Sequence, residues 1–72
     1  MTVTRAAISA NLHALGEILD DAQLRVSEGI MAIDAEGNQN GAIGSVLDLD
    51  RKLESALALL RAALALHRNG KA

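Results

Sequence analysis

The 72-residue chain contains no cysteine, no proline and no aromatic side chain. Without cysteine there is neither a disulfide framework nor a thiolate metal site. Without Phe, Trp or Tyr there is no platform on which bases stack and no aromatic cage for a cationic ligand. Charge is also sparse: 7 basic residues against 9 acidic ones leave a net of −2. That imbalance is too mild for bulk attraction to nucleic acid. The most apolar stretch, Ala56 to Leu66, is interrupted by Arg61 and falls far short of the ~20 residues a membrane span requires. The start, Met1-Thr2-Val3-Thr4-Arg5, lacks the charged-then-apolar layout of a secretory signal. A cytoplasmic location is expected.

What the chain has instead is alanine and leucine, 14 and 12 of them, within a composition that is half hydrophobic. Abundant Ala and Leu with few β-branched residues favour helix over sheet, so the expected fold class is all-α. A chain this short builds a core worth only ~3–5 kcal/mol unless something staples it. With disulfides impossible, self-association is the expected staple.

Two periodic segments flank a punctuated stretch. Ile8, Leu12, Leu15, Leu19, Ala22, Val26, Gly29 and Ile33 alternate in steps of four and three, a coiled-coil seam on one face of a helix over about 4–34. Thr4 is the expected N-cap. Val46, Leu49, Leu53, Ala56, Leu60, Ala63 and His67 repeat the spacing and predict a second helix over about 45–68. Ser45 and Asp48 resemble a capping pair, and Asp48 and Asp50 suit the positive end of the helix dipole. Arg68 and Lys71 suit the negative end, and Gly70 is the expected left-handed terminator. Between the helices, residues 35–44 hold three glycines and two asparagines and read as a loop, with a start of the second helix as early as Asn38 or Asn40 left open. The expected architecture is one domain, 1–72, folded as an antiparallel helical hairpin.

One hairpin hides one stripe on each helix, and the apolar surface here is wider. Leu57 and Leu64 flank the second seam on one side, and Leu59 and Leu66 on the other. Ile18 and Ile30 lie beside the first seam. A helix apolar over most of its circumference is buried on several sides, so two hairpins are expected to pair as a homodimeric four-helix bundle, with higher oligomers left open. A fold-back near Gln39 would place residues whose numbers sum to about 78 side by side. Arg5, Arg61, Arg68 and Lys71 then gather at the open end. Glu28, Asp34, Glu36, Asp48 and Asp50 gather toward the loop. Such dipolar hairpins favour head-to-tail pairing, with surface charge supplying orientation more than strength.

Candidates for chemistry are few. His13 and Glu17 are neighbours on a helix face, and the fold-back brings His67 within about a turn. Two imidazoles and one carboxylate lack the density of a dedicated metal site, so neither a metal nor another cofactor is expected. Glu17, Asp20, Asp21 and Glu28 include an E-x-x-D pair that resembles, loosely, the magnesium sites of all-α nucleotide pyrophosphohydrolases. Those enzymes point their acids into the bundle, whereas the heptad register here places Glu17, Asp20 and Asp21 outside, with Arg25 an i, i+4 partner for Asp21. The hydroxyls Thr2, Thr4, Ser9, Ser27, Ser45 and Ser55 have no His and carboxylate arrangement implied by position, and Gly41-x-x-Gly44-Ser45 lacks the lysine of a phosphate loop. Catalysis is not expected.

Two binding readings remain. Leu24 and Met31 stack one heptad apart, opposite the first seam, and could form a docking stripe for a partner helix. The basic end is similar in architecture alone to Rop-like regulators, small homodimeric hairpins that bind RNA along a face. Four cations without stacking side chains would bind weakly and with strong salt dependence. The favoured expectation is a non-enzymatic interaction module, a regulator or inhibitor of another protein or an assembly subunit. A nucleic-acid-associated regulator using Arg5, Arg61, Arg68 and Lys71 is the alternative.

Overall fold

Thr2 opens the first helix. Its backbone is extended and its hydroxyl accepts the Arg5 amide at 3.1 Å, so the cap falls two residues before the expected Thr4. Helix α1 then runs Val3–Asp34, 32 residues. That span corresponds to about 48 Å of helix. The chain is described here by a computed structural model covering residues 2–70.

The connection is shorter than the composition of residues 35–44 suggests. Gly37 turns the chain with φ of +63°, a left-handed value that only glycine adopts at little cost. Just beyond it, the Asn38 amide donates to the Ala32 carbonyl at 2.8 Å. The Asn38 side-chain oxygen then accepts the Gly41 amide at 2.9 Å and caps helix α2, Gln39–Val46. The loop is therefore residues 35–38. Its Asn and Gly content reads as a longer loop because asparagine serves turns and N-caps alike.

Ser45, the expected cap of the second helix, lies inside α2, where its hydroxyl donates to the Gly41 carbonyl at 3.1 Å. A turn at Leu47 and Asp48 separates α2 from helix α3, Leu49–Gly70. Asp50 sits in the first turn of α3 and accepts the Arg51 amide at 2.8 Å, while His67 and Arg68 occupy the last turn. Gly70 is helical rather than left-handed. Lys71 lies outside the described residues. The fold is all-α, a hairpin whose second arm is α2 followed by α3, both packed on α1.

Opposed residues fix the register. Lys52 reaches Asp21, Gly29 faces Ala42, Ser45 and Val46, and Gly70 lies against Thr4. Their numbers sum to about 74 rather than the expected 78, because the chain reverses at Gly37 and not at Gln39. The seam between the arms is also narrower in side-chain size than the heptads imply. The buried residues of the described chain are Ala22, Gly29, Ala42, Ala56 and Ala63, and among those described no large side chain is fully buried. Small residues on the line of centres let the two backbones approach closely, since side-chain size sets interaxial distance.

The result is a rod. Its principal extents are 54 × 18 × 12 Å and its radius of gyration is 16.5 Å, against about 11 Å for a compact domain of this length. One layer of two helices cannot enclose a core, which takes two packed layers.

Candidate functional site

The alanine seam decides where the large side chains go. Asn11, Ile18, Arg25, Gly29 and Ala32 of α1 are half-buried or buried. Each is followed immediately by an exposed aliphatic: Leu12, Leu19, Val26, Ile30 and Ile33. The second arm repeats this. Ala42, Lys52, Ala56, Leu59 and Ala63 precede exposed Ile43, Leu53, Leu57, Leu60 and Leu64. One residue is a 100° rotation about the helix axis. The rotation has the same sense in both arms, and the arms run in opposite directions. Both rows therefore emerge on the same side of the hairpin, as one apolar face running most of its length.

Within one hairpin this placement divides the residues expected to form the dimer and core seam. Of the residues assigned to it, Ile8, Leu15, Val46 and Leu49 are half-buried between the arms. Leu12, Leu19, Val26, Ile33, Leu53, Leu57, Leu60 and Leu64 are exposed on the side face. Heptad counting scores Ala and Leu alike, so the pattern gave no means of telling a close-packed alanine line from the leucine row beside it.

Near the loop the face is hollowed. Val26, Ile30, Ile33, Ile43 and Val46 surround Gly29 and Ala42 in a depression of about 210 Å³. Gly29 and Ala42 form its deep part because neither carries more than a methyl group; a Cβ on Gly29 would stand 3.3 Å from the Ala42 carbonyl oxygen. Toward the open end a second hollow is edged with polar groups, Arg5, Ser9 and His13 beside Ile8 and Leu12.

Leu24 and Met31 are exposed on α1. They lie two positions beyond the seam residues Ala22 and Gly29, a 200° rotation that turns them away from the second arm. Of the expected basic end, Arg5, Arg61 and Arg68 are exposed. The register puts Arg68 across from the first turn of α1 near Arg5, and Arg61 across from His13, about two turns deeper.

Among the described residues the structure does not bring the polar candidates together. His67 lines a hollow of about 390 Å³ with Thr2, Thr4, Arg5, Ile8 and Gly70, whereas His13 lines the neighbouring one. With the chain reversing at Gly37, His67 falls opposite Ala7 rather than near His13. No group of three or more potential metal ligands occurs among the described residues. Glu17 and Asp20 are exposed. Asp21 is held by the expected Arg25, at 3.0 Å, and by Lys52 across the arms, at 2.9 Å. Hydrogen bonds from Lys52 first and Arg25 second hold the Asp21 carboxyl below its ordinary value. The Lys52 contact was missed because the assumed turn centre displaced its register. No helix among the described residues is long and apolar enough to cross a membrane. No family model matches the chain, and neither a curated protein nor a solved structure matches it.

Proposed function

We propose that this chain is a non-enzymatic helical interaction module of the cytoplasm, acting as a regulator or assembly subunit, and that it works as a homodimer. Two hairpins lay their apolar faces together in a four-helix bundle, and each copy carries Leu24 and Met31 outward for a protein partner. The observation that supports this most is the inversion of burial: among the described residues the buried hydrophobic side chains are all alanine, while most of the large aliphatics line an open face.

The areas agree. The hairpin exposes 5415 Å², whereas a compact monomer of 7.5 kDa exposes about 4,250 Å² by the usual scaling. The surplus of roughly 1,150 Å² exceeds the ~800 Å² per partner buried in a standard stable interface. Pairing two faces also supplies the second layer that encloses a core.

Sedimentation equilibrium of the purified chain tests the association. The expected result is a species of twice the 7.5 kDa chain mass with helical circular dichroism at micromolar concentration. A folded single-chain species there overturns the proposal. For the outward stripe, Leu24→Asp with Met31→Asp should leave the dimer intact and abolish partner recovery; equal recovery removes that stripe from the account.

A further inference from the structure

The hollow at the loop end has no counterpart within its own hairpin. Its deep part is Gly29 and Ala42 and its rim is aliphatic, so water inside would find few polar partners. Farther along the same face, Leu60 and Leu64 stand out from the second arm toward the open end. The hollow lies roughly 6–17 Å from the turn at Gly37 and these two leucines roughly 35–40 Å from it, at 1.5 Å per helical residue. Reversing the face end for end carries each feature onto the other.

Charge favours the same reversal. Exposed Glu28, Asp34 and Glu36 surround the loop end, and exposed Arg5, Arg61 and Arg68 lie toward the open end. Like ends repel when side by side and unlike ends attract, which fixes orientation even where surface pairs add little strength.

Building on the dimer reading above, we propose that the loop-end hollow of each hairpin is a socket for Leu60 and Leu64 of a second copy. Two sockets and two leucine pairs engage reciprocally about a two-fold axis perpendicular to the rods, as an isologous interface requires. The loops then lie at opposite ends, with α1 over α1 and the second arm over the second arm. A same-direction dimer would instead lay the second arm over α1 and bring the two hollows together with no side chain to fill them.

The absence of native cysteine makes the test clean. One copy carries Ile43→Cys and the other, distinguished by a mass tag, carries Leu64→Cys or Ile33→Cys. The mixtures are oxidised under conditions in which sedimentation reports the association state and circular dichroism confirms helix. A disulfide needs Cα atoms within ~7 Å. The expected result is therefore a link between positions 43 and 64 at least about tenfold over one between positions 43 and 33. An Ile30→Cys copy with a Leu12→Cys copy should link likewise along α1, an independent readout if the first variants fold poorly. A dimer that links 43 to 33, or links neither pair, overturns the socket and leaves the dimer standing. A single-chain species overturns both.

Discussion

Leu60→Ala separates a leucine that faces water from one that faces a second copy. In the hairpin Leu60 is 39% exposed, so the chain's own arms cover about three-fifths of it. The substitution removes three carbons worth ~0.8 kcal/mol each when fully buried. For an isolated hairpin the loss is therefore capped near 1.5 kcal/mol. In a bundle the side chain is enclosed and the void adds to the transfer term, giving about 2–5 kcal/mol per chain. Thermal melts of both forms over a hundredfold range of concentration give a second criterion. Association makes the wild-type midpoint fall on dilution by RT ln 100 per dimer, about 1.4 kcal/mol per chain. For a chain of this length that is roughly 5–10 °C. A wild-type midpoint unmoved by dilution, together with a Leu60→Ala loss below about 1.5 kcal/mol, would refute the enclosed-face reasoning.

Other substitutions probe the hairpin itself. Gly29→Leu should destabilise by at least ~1–3 kcal/mol in urea melts, since even a Cβ there stands 3.3 Å from the Ala42 carbonyl and the arms must part. Gly44→Ala, with nothing within 4 Å, should instead gain up to ~1 kcal/mol from helix propensity; equal signs for the two would contradict the close approach at Gly29. Gly37→Ala should cost about 1–2 kcal/mol because of the positive φ, and no loss in the same melts would mean the turn is built otherwise. Asp21 contributes through a folded carboxyl value held below the ordinary ~3.9. Its stabilisation is present above about pH 4 and lost as pH falls through the lower folded value. Stability measured from pH 6 downward should accordingly fall less steeply in Asp21→Asn, and parallel curves would remove the Lys52 contact from the account.

The helical class, the end of α1 at Asp34 and the two-armed hairpin were all legible in spacing, because heptad periodicity directly records which residues share a helix face. The reversal point was not. Asn38 and Gly37 divide the work of capping α2 and turning the chain, and composition alone reads both as loop. Four residues of error in the register sum followed, enough to bring His67 toward His13 on paper and to hide the Lys52–Asp21 contact. The surplus of apolar surface was legible as well, but not its distribution. Whether Ala56 or Leu57 meets the opposite arm depends on how closely two backbones approach, and that distance is a property of both arms together.

A contact line of alanine and glycine has almost no teeth. Large side chains interlock and resist sliding, whereas methyl groups present a nearly smooth rail, so the interlocking falls to the few half-buried aliphatics between the arms, Ile8, Leu15, Val46 and Leu49. Alignment of the arms depends on these together with the four-residue connection 35–38, too short to feed out another 5.4 Å of helix, and the Lys52–Asp21 clasp near mid-rod. Lengthening the connection would release one of these constraints and shift its share onto the aliphatics and the ion pair.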